Sequence, residues 1–339
     1  LRHFSARSLI MVLTILLPVV ALASLVVGTV NISIVDALDT LLGNGTSQQI
    51  GAILLDIRLP RILMAIFVGA VLASTGAVMQ GLFRNPLADP SLIGVSSGAS
   101  VGASLMIVTA GGFIQSGALV GLSLVAVGAF VGGFTATLLV YRLATSGIGT
   151  SVTTMLLAGI AIAALAGALN SLLSYFSDND MLRQISLWQM GNLSGASWLK
   201  VGIMGSVALL LLILFPRESR ALNALLLGES EARHLGIDVQ RVKRRLILLT
   251  ALGVGISVAL AGLVGFVGLI IPHMVRLAIG PDHRWLVPAS ALAGATLLVI
   301  ADSLARIVVI PAELPTGILT ALLGAPFFVA LLLQQRKVV

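Results

Sequence analysis

The run RILMAIFVGAVLASTGAVMQGLF, residues 61–83, decides the architecture. After Arg61 it carries no charge, and its length fits the roughly 20 apolar residues with which an α-helix crosses a bilayer. Its apolar residues are continuous and do not alternate every second position, so the run reads as a helix and not as a strand of a membrane barrel. The rest of the chain repeats the pattern: of 339 residues, 58% are hydrophobic and only 10% charged. A water-soluble domain needs far more charge to cover its surface. The chain therefore reads as one all-α polytopic membrane domain over residues 1–339. Its ten expected spans lie near 8–29, 61–83, 92–110, 115–141, 150–175, 197–216, 246–264, 266–279, 285–307 and 317–334. The apolar run after Arg7 lacks a small-residue cleavage site and reads as a retained first span, not a signal peptide.

Charge asymmetry orients these spans. Placing both termini and the loops near 84–90, 142–149, 217–245 and 276–284 on the cytoplasmic side puts 15 of the 20 basic residues there. That is the bias of the positive-inside rule. The high isoelectric point thus reflects topology, and nucleic-acid binding is not indicated. There is no cysteine for a disulfide or a thiolate metal site. The four histidines form no H-x-x-x-H pair, and none of the three lysines follows a Gly-rich phosphate loop. The sequence GLVGFVG, 262–268, looks like a dinucleotide fingerprint but follows no strand; it reads as a packed helix face or a broken helix.

Four segments stand out from the lipid-facing background. In DIRLPRILMAIF, 56–67, Arg58 and Arg61 lie on the side poor in basic residues. They suit either docking of an acidic partner or anchoring at the headgroups. In MQGLFRNPLADPSLIGVSSGAS, 79–100, Pro86 and Pro90 interrupt the helix, with Asp89 expected to stabilise a turn and Ser91 to cap the next helix. In LVIADSLARIVVIPAELPTG, 298–317, Asp302 and Arg306 are one helical turn apart and can pair. Glu313 lies a few residues further on, but no nucleophile–base pair accompanies the carboxylates, so an enzyme site is not supported.

The fourth segment, GESEARHLGIDVQRVKRR, 228–245, is charged at half its positions. Gly228 and Gly236 bracket a short helix in which Glu229 and Arg233 stand i,i+4 in the favourable order. Gly236 is a natural stop and Asp238 a natural N-cap for the helix entering the next span. Two capped helices on the inner face suit a ledge that a cytoplasmic partner grips.

These residues resemble a known family. RLPRILMAIFVGAVLASTGAVMQGLFRNPLADPSLIGVSSGA, LLLGESEARHLGI, ALAGLVGFVGLIIPHMVRL and AELPTGILTALLGAPFFVALLL are similar, in order, to the permease subunit of bacterial ABC importers for iron–siderophores, haem and vitamin B12. The resemblance implies a type II importer permease of ten helices, forming a homodimer in the inner membrane. Two cytoplasmic ATPase subunits would bind below it and consume ATP, and a periplasmic haem- or siderophore-binding protein would dock above. The permease itself would have no catalytic site, permanent cofactor or metal.

By the same resemblance, Arg58, Arg61 and Arg306 match arginines that pair with glutamates of the binding protein. Gly228, Glu229, Glu231, Ala232, Arg233, His234 and Gly236, within the segment 217–245, match the coupling helix seated on the ATPase. The fifth span matches the helix lining the path, with Thr150, Ser151, Thr153, Thr154, Met155, Asn170 and Ser171 as candidate liners. The 79–100 segment is most similar to the haem branch, with ferric siderophore and cobalamin as alternative cargoes. The rival class is an ion-driven secondary transporter. Such proteins place ionisable residues at the membrane midplane, whereas here they concentrate at helix ends.

Overall fold

The computed structural model describes residues 5–336 apart from 29, 31, 45–46, 111–118 and 148. Arg2, His3, Lys337 and the start of the expected fourth span therefore lie outside the described residues. The helices are α1 (Ala6–Val26), α2 (Ile34–Leu41), α3 (Gln48–Leu82), α4 (Val95–Thr109), α5 (Leu119–Ala144), α6 (Val152–Tyr175) and α7 (Asn179–Gln189). They continue with α8 (Trp198–Arg217), α9 (Ser219–Leu227), α10 (Glu229–His234), α11 (Val239–Ala261), α12 (Val267–Ile279), α13 (His283–Ala305) and α14 (Thr316–Arg336). A two-residue hairpin, β1 (Thr145–Ser146) and β2 (Gly149–Thr150), precedes α6.

Seven of these helices are long and apolar enough to cross a membrane, and the shorter α4, α12 and α14 occupy the remaining three expected places. The starts are locally encoded. Ser151, Asp178, Ser197, Asp238 and Asp282 each accept a backbone N–H of the helix they precede, satisfying donors that the first turn leaves free. One expectation is corrected at 89–95. Asp89, not Ser91, is the cap: it accepts the Ser91 N–H at 2.8 Å and opens a 3-10 turn over Pro90–Ile93. Gly94, at φ +84°, then redirects the chain into α4.

α3 is the axis of the fold. Its central part is almost wholly buried, and α8, α11, α12 and α13 pack around it. Its N-terminal part includes a turn of π-helix over Ile53–Arg58, ahead of the buried stretch. Around this axis α4 pairs with α5, α6 lies across both, and α1 rests on α13. Helices in lipid gain no hydrophobic drive from associating, so close backbone approach at small residues holds them together. At the crossing of α3 and α12, a Cβ on Gly76 would stand 1.8 Å from the Gly268 carbonyl oxygen. At the crossing of α3 and α13, one on Gly69 would stand 2.4 Å from that of Gly294.

The GLVGFVG run is resolved as a break. α11 stops at Ala261, Gly262 takes φ +71°, and Phe266 takes φ +67° before α12 begins. A positive φ is rare for a bulky aromatic residue.

Gly76→Ala is expected to destabilise the protein by about 1–3 kcal/mol through overpacking. Gly202→Ala in α8, where a Cβ meets nothing within 4 Å, is expected to be neutral or stabilising by up to about 1 kcal/mol. Thermal unfolding in detergent, followed by tryptophan fluorescence, distinguishes the two.

Candidate functional site

The charged groups gather at the two ends of α3. Where its buried part begins, here the Arg61 rim, the three predicted arginines do come together, but they face inward. Arg58, Arg61 and Arg306 are each no more than 5% exposed. Arg58 donates to the carbonyls of Leu25, Val26 and Val30, closing the end of α1; cations at a helix C-terminus satisfy orphan carbonyls in this way. Arg306 donates to the Val27 carbonyl at 3.0 Å and to the Ser24 hydroxyl.

Arg61 is bound by two acids. Its Nε lies 3.0 Å from both carboxylate oxygens of Asp302, and its Nη1 donates to Glu313 at 2.6 Å. Asp302 is buried and also accepts the Thr316 hydroxyl at 3.1 Å and faces Arg306 Nε at 3.4 Å. One carboxylate thus ties α3, α13 and the start of α14. Burying arginines alone is costly, so the fold pairs Arg61 and Arg306 with acids and gives Arg58 to carbonyls. Glu313 stays partly exposed, and Arg61 Nη2 is buried with no hydrogen-bond partner among the described residues.

Between the rims lies a cavity of about 360 Å³, towards the low end of the range of ligand pockets, roughly 300–1,000 Å³. Its walls include Asp89, Ser91 and Ser96 from the 3-10 turn and α4, and Leu263, Gly265 and Phe266 from the break before α12. Irregular backbone inside a bilayer is tolerated where it is buried in protein or lines a cavity, and both chain breaks do so here. The sequence reading placed the breaks but not the space they share.

The candidate path residues of the fifth span divide. Thr153, Thr154 and Ser171 are exposed on α6, and Ser151 is its cap. Met155 and Thr150 are buried within the chain. Asn170 is held in a polar cluster. It accepts the Ser104 hydroxyl at 2.7 Å and donates to Ser100 at 3.1 Å, tying α6 to α4.

At the opposite end of α3, here the Lys243 rim, α9, α10 and the start of α11 form the expected charged ledge. α10 runs Glu229–His234, Gly228 at φ +129° precedes it and Gly236 at φ +81° comes after it. Ala232 anchors the helix by full burial, while Glu231, Arg233, His234 and Leu235 are exposed. Glu229 and Arg233 stand 3.6 Å apart, as the spacing predicts. Asp238 accepts the Arg241 N–H at 3.0 Å.

The sequence reading missed the other partners at this rim. Lys243 Nζ reaches Glu229 at 2.6 Å, and Arg245 pairs with Glu218. Asn223 joins α9 to the start of α13: it donates to Asp282 at 2.6 Å and accepts the His283 N–H at 2.9 Å. Burial acts to raise the Asp282 carboxyl. The hydrogen bonds from Asn223 and the Arg284 amide outweigh it and hold the group below the usual carboxylate value.

Comparison with known proteins is consistent along the chain. A profile of the FecCD transport family matches residues 15–334. The hemin transport system permease protein of Yersinia pestis is 46% identical over 325 residues, 96% of this chain and 95% of that protein. The vitamin B12 import system permease protein of Escherichia coli is 45% identical over 281 residues, 83% of each chain. Among solved structures, a metal-chelate type ABC transporter in an inward-facing conformation superposes with a TM-score of 0.84 at 35% identity. It covers 97% of this chain and 99% of that one.

Asp302→Ala leaves Arg61 and Arg306 buried without their shared acid, and is expected to cost about 3–5 kcal/mol. Asp302→Asn, which keeps an acceptor, should cost less. Detergent-solubilised protein melting at the wild-type temperature in both variants would show that the network does not hold the rim.

Proposed function

The chain belongs to the FecCD transport family, and from that premise we propose that it is the membrane subunit of an ATP-driven importer carrying haem across the bacterial inner membrane. The observation that carries the cargo is the near end-to-end match to a hemin permease, over 96% of this chain. The cobalamin and vitamin B12 permeases match 87% and 83% of it. Ferric siderophore or cobalamin is the alternative cargo within the same family. The chain is a translocating subunit, and ATP hydrolysis belongs to a partner.

In this reading the Lys243 rim and both termini face the cytoplasm, and the exposed face of α10 receives one ATPase subunit per copy. The Arg61 rim faces the periplasm and receives the binding protein. The partly exposed Glu313 bound to Arg61, and the gathering of all three arginines at this rim, support a role for it in docking, with Arg58 and Arg306 holding it in shape. Along α6, Leu157, Ile160, Leu165, Leu169 and Leu172 are exposed and apolar. That face suits a second copy of the chain, with Thr153, Thr154 and Ser171 beside the shared path. Haem is cargo and not a resident group. Its passage would rely on shape and apolar contact.

Competition uptake tests the cargo. Unlabelled haem should suppress haem uptake in reconstituted vesicles, while cobalamin and ferric siderophores should not. Suppression by cobalamin or a siderophore at matching concentration would reassign it. For the ledge, Arg233→Pro breaks α10 and should abolish uptake while the membrane dimer stays folded by size-exclusion chromatography. Normal uptake would refute the coupling role.

A further inference from the structure

Lys243 is 2% exposed, although it lies only one turn into α11 from the aqueous rim. A lysine is seldom buried unless its charge is paired and its donors are used. Its Nζ makes two short contacts: with Glu229 Oε1 at 2.6 Å and with the Thr150 carbonyl at 2.7 Å. Glu229 is the first residue of α10. Thr150 ends the hairpin and immediately precedes Ser151, the cap of α6. A single ammonium therefore joins the first residue of the ledge to the residue from which α6 starts.

The neighbouring side chain completes the grip. Gln240 stands three residues before Lys243, on the same face of α11, and accepts the Thr150 N–H at 2.9 Å. Both backbone polar groups of Thr150 are thus held by α11 side chains. Gly149 is part of the fit, because a Cβ there would stand 2.4 Å from Gln240 Nε2. The Thr145 and Thr150 hydroxyls, 3.0 Å apart, close the hairpin on itself. Glu229's other contact, to Arg233 at 3.6 Å, is solvent-facing and longer. Such exposed pairs contribute little, whereas an unmade bond at a buried ammonium leaves a desolvated charge.

We infer that Lys243 is a positioning residue for transport, the link through which displacement of α10 is passed to the start of α6. This rests on the reading of α10 as the ATPase-receiving helix. When α10 shifts, Glu229 draws Lys243, and Lys243 carries the Thr150 carbonyl with it. The cap at Ser151 moves in turn, and with it the first turn of α6. A hydrophobic side chain of the same length would fill the space but would let the hairpin and α10 move independently.

The test uses the complete transporter in vesicles, with its ATPase subunits and binding protein, reading haem uptake and ATP hydrolysis side by side. Lys243→Met should keep hydrolysis and ATPase binding near wild type while uptake falls about tenfold, the scale of a coupling free energy between sites. Lys243→Arg, which retains donors, should recover part of that loss. Glu229→Gln, which keeps an acceptor and spares the buried contact to Thr150, is the milder variant and should lower uptake in the same direction. Because the chain has no cysteine, spin labels on cysteines placed at Ser230 and Thr153 report the link directly. Their separation should stay constant between nucleotide-free and ATP-bound states in the wild type and change in Lys243→Met. Unchanged uptake in both Lys243→Met and Glu229→Gln would overturn the inference. So would a parallel loss of uptake, hydrolysis and ATPase binding, or a label separation that already changes in the wild type. If Arg233→Pro leaves uptake intact, the coupling role of α10 itself fails. If Arg233→Pro abolishes uptake and Lys243→Met does not, only the Lys243 link fails.

Discussion

Hydrocarbon offers no partner to a polar group, and this constraint organises the whole chain. Every backbone N–H and C=O in the bilayer must be satisfied within the protein, as must any charge placed there. Ten apolar helices meet the first demand. The second is visible in where the charges sit and in how they are held. Asp302 pairs with both Arg61 and Arg306, Glu313 adds a second acid at Arg61, and Arg58 and Arg306 donate to the carbonyls at the end of α1. The network that looks from sequence like a set of arginines awaiting a partner is first the means by which four helices end together.

The same constraint explains why irregular backbone appears where it does. The 3-10 turn before α4 and the break before α12 would be untenable against lipid, and both face a common cavity. Close glycine crossings at Gly76 and Gly69 press α12 and α13 onto α3 and leave that axis little freedom. A stiff central helix with a charged rim at each end suits a device that must respond to different partners on its two sides. α6 packs instead on α4 and α5 and leaves a long apolar face exposed.

Much of this was legible in the sequence because the signals are local. Hydropathy over a window of about 20 residues places the spans, and the Gly228, Gly236 and Asp238 punctuation places α10 and the start of α11. Long-range pairing was not legible. Arg61 meets Asp302 across 241 positions and Lys243 meets Thr150 across 93, and nothing in either neighbourhood announces the other. Direction was equally hidden. Arg58 and Arg61 suit docking or anchoring because they stand where a span begins, yet their burial depends on what α1 and α13 bring to the same place. Met155 and Asn170 illustrate the same limit within α6. Their helix was placed correctly, but which face meets α4 is decided by packing, not by composition.

The central claim is that this chain moves cargo only when an ATPase works upon it. Purified protein in sealed vesicles, supplied with the binding protein and haem, tests it with two energy sources. The account predicts accumulation when ATPase subunits and ATP are both present, and none when a proton gradient is imposed in their absence. Accumulation driven by the proton gradient alone, with the ATPase subunits omitted, would contradict it.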